Sequence, residues 1–275
     1  MRGSVTEPAK RRVVVLSNWN IFSRLIASRL LSAADVQTHV IQITGDYHHR
    51  SGPKAGAALL RQMTLPYFVY KAFTTAFVHR LPFLPVQLPL APSADGSQRQ
   101  VQPELVAVSV KDPAIKATIQ KIAPDILLSI SCPQKIPVDL IRSARLAALN
   151  IHSSLLPRYA GLAPYFWVLR HGERTTGTTV HLLVEAFDKG DIVVQRELAI
   201  PERTSAFRLF LQLAELGRDC VAESVEGMLD GTLSPYPQRR DQHSYFSHPQ
   251  WRDYVAMRRR GHRLIRFGDL WSRAS

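Results

Sequence analysis

The sequence predicts an α/β protein with a mainly parallel sheet, followed by a C-terminal helical or irregular extension. Three observations predict it. The chain opens on an apolar run, a helical pattern and a second apolar run, at the spacing of a βαβ unit and hence of a parallel sheet. Short apolar runs return at 124–131 and 146–151, each after a helical stretch. A long amphipathic pattern then occupies 205–229.

Arg12-Val13-Val14-Val15-Leu16-Ser17-Asn18 is a β-branched run ending in turn residues, as in a strand buried on both faces. Apolar residues at Ile21, Phe22, Leu25, Ile26 and Leu30 repeat at helical spacing, and Val36 to Ile43 forms the second strand. Residues 44–52 read as a loop, in which the adjacent His48 and His49 are expected to be solvated rather than ligand-binding. Ala55–Arg80 is helical in parts with an interruption expected at Pro66, and four prolines exclude regular helix from Leu81 to Pro92. Ser93–Gln100 is a polar loop, and 44–104 as a whole reads as an insertion with a packing role.

Leu105–Val110 is the next strand candidate. Asp112-Pro113 opens a helix to Ile122, an N-cap followed by proline at the first helical position. Pro124–Ser131 is a buried strand, Pro137–Ser143 a short helix, and Leu146–Ile151 a further strand. Thr178–Val184 and Ile192–Ile200 form a hairpin around the turn at 185–191. Phe207, Phe210, Leu211, Ala214, Val221, Val225 and Met228 line one face of the closing helix. The expected division is 1–205 as the main domain and 206–275 as the extension.

With 275 residues, 45% of them hydrophobic, the chain can bury a sizeable core. Its net charge of +13 suits an anionic partner. Much of that charge lies at the ends: Arg2, Lys10, Arg11 and Arg12, then nine arginines from Arg239 onward. Basic ends raise net charge without making a groove, so nucleic acid is not the expected partner and a small molecule is. Cys132 and Cys220 form no CxxC pair, so neither a zinc site nor a disulfide framework is expected, and no metal is. A reducing cytoplasm is the simplest setting. No signal peptide and no membrane span is expected, because Val13–Leu16 is too short an apolar run for either. Oligomeric state is left open.

The chemistry concentrates at 150–191. Asn150 and His152 are two apart at the carboxyl end of a strand, so they share a face where α/β sheets bind ligands. Asn offers an N–H to a developing oxyanion, and His exchanges a proton near neutrality. Asp188, in the turn Phe187-Asp188-Lys189-Gly190-Asp191, could hold the imidazole if the segment folds back. Taken by spacing alone, a structural histidine, a strand-ending Asn and an ordinary turn Asp are the stronger reading. Tyr165, Phe166 and Trp167 are expected to pack a helix rather than line a pocket.

The longer run Asn150-Ile151-His152-Ser153-Ser154-Leu155-Leu156-Pro157-Arg158-Tyr159-Ala160-Gly161 closely resembles the signature of the formyltransferase family. Gly177-Thr178-Thr179-Val180-His181 and Phe187–Ile192 resemble its second block, and the family's catalytic aspartate falls on Asp188. The resemblance implies a Rossmann-like formyltransferase fold over about 12–205 and catalytic roles for Asn150, His152 and Asp188. It implies 10-formyltetrahydrofolate as formyl donor, bound largely through backbone groups of Pro133, Gln134, Lys135 and Ile136 and of Leu183, Val184, Glu185, Ala186 and Phe187. The expected reaction is transfer of the formyl group to a primary amine of a small molecule.

Two departures narrow the acceptor. Ser17-Asn18-Trp19-Asn20-Ile21-Phe22 has no glycine, unlike the phosphate loop of glycinamide ribonucleotide formyltransferases. The 70 residues after 205 are too few for the C-terminal barrel of methionyl-tRNA formyltransferases, and Arg258-Arg259-Arg260 reads as a solvated helix end. A sugar-nucleotide or aminoacyl-tRNA acceptor, or hydrolysis of the donor, remain as alternatives.

Overall fold

The computed structural model describes residues 11–46, 63–74 and 102–270. The readings of His48 and His49, of the proline-rich stretch from Leu81 and of Ser93–Gln100 lie outside these residues.

The first half builds five parallel strands: β1 (Arg11–Ser17), β2 (Val36–Ile43), β3 (Leu105–Ala107), β4 (Ile126–Ile130) and β5 (Ala147–His152). Helix α1 (Ile21–Ser32) joins β1 to β2, α2 (Leu65–Ala72) precedes β3, α3 (Pro113–Ile122) joins β3 to β4, and α4 (Val138–Ile141) precedes β5. A short strand β6 (Ala160–Gly161), helix α5 (Pro164–His171) and the hairpin β7 (Thr175–Leu182) and β8 (Ile192–Ala199) follow. The chain closes with α6 (Ala206–Asp230), β9 (Tyr245–Phe246) and α7 (Trp251–Arg259).

The seven-stranded sheet runs β3-β2-β1-β4-β5-β7-β8, with β6 and β9 paired apart from it. Strands β3 to β5 are parallel, and β7 and β8 add as antiparallel neighbours. Chain order reverses between β1 and β4, the crevice where such sheets bind ligands. The sheet is thus mainly parallel and Rossmann-like, as the sequence predicts.

Both faces of the sheet are covered, which is why Val13–Leu16 of β1 and Ile126–Leu128 of β4 are apolar without alternation. Val13 and Val15 face α1, α5 and α6, while Val14 and Leu16 face the layer holding Ile115 and Ile119 of α3. Phe207 of α6 is fully buried and meets Phe22 of α1 edge-on at 6.0 Å. Tyr165, Phe166 and Trp167 are 4%, 0% and 7% exposed, the packing role expected of them. Ser205, the last residue of the expected main domain, caps α6 by accepting from the Arg208 N–H at 2.9 Å. Among the described residues no helix is long and apolar enough to cross a membrane.

Pro66 lies in the first turn of α2 behind the N-cap Thr64, where its missing N–H costs no intrahelical bond; the stretch before Met63 lies outside the described residues. One local expectation is corrected. The strand expected over 105–110 stops at Ala107. The Gln134 side chain ends it by donating to the Val108 carbonyl at 2.7 Å and accepting from the Val110 N–H at 2.8 Å.

Truncating Phe207 removes one of the two α6 rings, with Phe210, that meet Phe22 of α1. Phe207→Ala is expected to lower unfolding stability by about 3–5 kcal/mol, measured as the shift of the urea midpoint at unchanged slope; a loss under about 1 kcal/mol would mean the interface repacks freely.

Candidate active site

Strand β5 delivers Asn150 and His152 to the carboxyl edge of the sheet, and β7 delivers His181 opposite Asn150 in the antiparallel register. The β7–β8 turn swings Asp188 back over both, at φ 52°, a left-handed conformation that costs a non-glycine residue roughly 1–3 kcal/mol. Gly190 permits the turn, since a Cβ there would meet the Leu182 carbonyl oxygen at 1.8 Å.

Four side chains converge. Asp188 Oδ1 lies 3.7 Å from His152 Nδ1 and 3.7 Å from His181 Nε2. These are ion-pair distances, too long for hydrogen bonds. Asp188 Oδ2 accepts the Gly161 N–H at 2.8 Å. Asn150 Nδ2 lies 3.1 Å from His181 Nε2 and does not itself reach Asp188 or His152 by any hydrogen bond in the structure.

Neighbouring carbonyls assign the imidazole protons. His152 Nε2 lies 2.8 Å from the Tyr159 carbonyl and His181 Nδ1 2.9 Å from the Leu182 carbonyl, so each of these nitrogens carries the hydrogen and donates it. His181 Nε2 then accepts from Asn150, leaving the second N–H of the Asn150 amide free of that bond. His152 Nδ1 presents a lone pair toward Asp188. The site is therefore rich in acceptors around one gap, and suits a group that brings its own N–H.

Burial by itself would raise the Asp188 pKa. Once His152 takes a proton at Nδ1, its charge outweighs burial, with the contacts to His181 and the Gly161 N–H adding to the effect, and holds the carboxyl well below the usual carboxylate range. His152 is 8% exposed and His181 2%, so this charge pattern is little screened.

The loop from Ser153 to Gly161 is stapled to the sheet. Thr179 Oγ1 donates to the Ser154 carbonyl at 2.6 Å and accepts the Leu156 N–H at 3.2 Å, and Ser154 Oγ donates to the Arg158 carbonyl at 2.9 Å. Gln195 Nε2 donates to the Leu156 carbonyl and to Thr179 Oγ1 at 3.0 and 2.8 Å.

Of the expected donor-binding residues, Gln134 and Ile136 are buried in the fold, 4% and 5% exposed. Pro133 is half-buried and Lys135 exposed, with Lys135 Nζ 5.9 Å from the Phe187 ring, so the two loops meet. Leu183 ties to β5 through its N–H to the Ala148 carbonyl. Val184, Glu185, Ala186 and Phe187 are exposed. His181, the Tyr159 carbonyl and the Gly161 N–H were not among the expected site residues. The first had a signal in the sequence, as the last residue of the Gly177–His181 block that resembles the family's second motif, whereas backbone groups leave none.

This fold and site define a Rossmann-like α/β group-transfer scaffold with an Asn-His-Asp centre at the strand carboxyl ends. The chain matches the family described as formyl transferase over residues 12–225, and it belongs to that family. It is 32% identical over 145 residues to a methionyl-tRNA formyltransferase of Levilactobacillus brevis, a stretch covering 53% of this chain and 45% of that enzyme. Across such relatives the matched stretch spans about half their length or less, as in the 51% matched for Syntrophus aciditrophicus. In fold it is similar to a 4-N formyltransferase from Francisella tularensis, with a TM-score of 0.56 at 16% identity, covering 89% of this chain and 78% of that one. It is also similar to an N-formyltransferase from Helicobacter canadensis in complex with folinic acid and dTDP-3-aminofucose, with a TM-score of 0.54 at 15% identity, covering 89% and 72%.

A carboxylate with a depressed pKa stabilises the fold above its unfolded value of about 3.9 and stops doing so as pH falls through the folded value. The gap in melting temperature between wild type and Asp188→Asn is therefore expected to be widest above about pH 5 and to close toward pH 2. A gap independent of pH would show that Asp188 is not ionised in the folded protein.

Proposed function

We propose that this chain transfers the formyl group of 10-formyltetrahydrofolate to a primary amine of a small-molecule acceptor. The observation that carries the reading is the gap between His152 Nδ1 and Asp188 Oδ1, two acceptors 3.7 Å apart, with the Asn150 amide beside His181. An attacking amine brings N–H groups to acceptors and creates an oxyanion that needs a donor.

Exposed apolar side chains beside the turn support the donor reading. Val184 and Phe187 are 42% and 43% exposed beside the catalytic turn, and the Lys135 loop closes against Phe187. When bound, 10-formyltetrahydrofolate supplies the formyl carbon. Pro133, Lys135 and Leu183–Phe187 would wall its ring, with Gln134 and Ile136 offering backbone groups only.

The amine lone pair forms the new C–N bond at the formyl carbon while His152 Nδ1 takes a proton from the amine nitrogen. Asn150 donates its second N–H to the oxyanion. Asp188, ionised, stabilises the imidazolium across 3.7 Å. The old C–N bond then breaks, and His152 returns the proton to the departing nitrogen. Tyr159, through its carbonyl, keeps the imidazole in the tautomer whose Nδ1 is available.

The methionyl-tRNA relatives keep an RNA-borne amine among the acceptors to be tested, against the sequence expectation that nucleic acid is not a partner. The Helicobacter complex adds amino-sugar nucleotides. The test is a panel of amines, amino-sugar nucleotides and aminoacyl-tRNA with 10-formyltetrahydrofolate, read as added formyl mass on the acceptor and tetrahydrofolate release. Acceptor-dependent release is expected, and release that ignores every acceptor would replace transfer with hydrolysis. Asn150→Ala is expected to lower kcat by about 10²–10³ and His152→Ala by about 10²–10⁴. Full activity of His152→Ala would overturn the mechanism.

A further inference from the structure

The family match ends at residue 225, yet the chain beyond it binds three of the four backbone N–H groups of 159–162 and the turn that carries Asp188. In the stretch 159–162 the backbone N–H groups go to Ser244 Oγ from Tyr159 (2.9 Å), to the Ser244 carbonyl from Ala160 (2.9 Å) and to the Phe246 carbonyl from Leu162 (2.8 Å). The fourth, of Gly161, goes to Asp188 Oδ2 (2.8 Å). A parallel pairing of β6 with β9 uses alternate N–H groups, so it leaves Gly161 free to face the carboxylate. The Ser244 N–H also donates to the Pro157 carbonyl at 3.2 Å.

The same segment reaches the aspartate turn. Gln238 Nε2 donates to the Asp188 carbonyl at 3.0 Å and to the Gly190 carbonyl at 2.6 Å. It thereby binds the two carbonyls flanking Lys189, in a turn whose Asp188 sits at positive φ. The Phe246 ring stacks on Tyr159 at 5.3 Å and on Trp167 at 4.7 Å, and Trp167 Nε1 donates to the Ser247 carbonyl at 3.0 Å, which keys the segment into α5. Gly161 is needed for this approach, because a Cβ there would meet the Phe246 carbonyl oxygen at 2.3 Å.

We propose that Gln238 and Ser244 are positioning residues for the catalytic centre, and that residues 236–247 act as a brace setting the distance between His152 and Asp188. Ser244 acts through the Tyr159 backbone, whose carbonyl selects the His152 tautomer. Gln238 acts through the Asp188 backbone. The kinetic arm of the test rests on the formyl-transfer reading; the spectroscopic arm does not.

Gln238→Glu replaces a donor with an acceptor facing two carbonyls, and Ser244→Ala removes the acceptor of the Tyr159 N–H. With the full chain, each is expected to lower kcat about 10-fold to 100-fold while the donor KM stays within about 2-fold. Ser244→Thr, which keeps the hydroxyl, is expected to stay near wild type. Imidazole ¹⁵N spectra should show His152 as the Nε2–H tautomer in wild type and Ser244→Thr, and a mixed or altered state in Ser244→Ala and Gln238→Glu. Should Gln238→Glu fail to fold, Gln238→Met, similar in shape and without the N–H, takes its place. Unchanged His152 resonances in Ser244→Ala and in the Gln238 variant would overturn the brace. Altered resonances without transfer by the wild type to any acceptor would uphold the brace and discard the formyl-transfer reading.

Discussion

The ionised carboxylate of Asp188 is the point on which the site depends. It lies between two buried imidazoles and accepts one backbone N–H, that of Gly161. A charge in such a place survives only if polar groups replace the water it has lost. Three stretches of chain provide them: β5 with His152, β7 with His181, and the loop ending at Gly161. Together the Gly161 N–H and the neighbouring imidazoles, His152 above all when it is charged, offset the burial that favours the protonated carboxyl.

The sheet makes this convergence possible by changing direction once. Parallel pairing from β3 to β5 puts the strand carboxyl ends on one edge, and antiparallel β7 returns past that edge. The register then sets Asn150 against His181 and His152 against Thr179, so one histidine meets the amide while the threonine hydroxyl holds the adjoining loop. A slip of one residue would turn these side chains to opposite faces. The apolar layers on both sides of β1 and β4, with α6 locked against α1 through Phe207 and Phe22, resist that slip. The tightly packed interior and the acceptor-rich edge are in this sense one construction: the core holds the register, and the register holds the charges.

Much of this was legible in the residues. Periodicity placed β1, α1, β2, α3 and α6 to within a residue or two, since each is long or capped by a residue with its own signal, such as Asp112 or Ser205. Asn150, His152 and Asp188 stood out through the longer motif and lie within one cluster. Other features depended on partners far away in sequence. The strand at Leu105 stops at Ala107 because Gln134 takes its next carbonyl and N–H, and no residue in 105–110 announces that. Pro66 marks a helix start, and only its position relative to Thr64 shows that its missing N–H is not needed there. Gln238 and Ser244 are ordinary polar residues whose contacts are almost all with backbone groups.

By itself the sequence determined most strands of the main sheet and its long helices, that central strands are buried on both faces, and which groups are able to move a proton. Those properties follow from side-chain type and from periods of two and 3.6 residues, both written along the chain. Only the tertiary structure decided the protonation pattern: which nitrogen of His152 faces Asp188, that His181 joins the centre, and that the segment around Ser244 holds the loop. These depend on distances of three to four ångströms between residues tens of positions apart, and on carbonyl and N–H groups that every residue carries alike. Electrostatic energy varies steeply over just those distances, so the residues named the chemistry and the fold set the charges that would perform it.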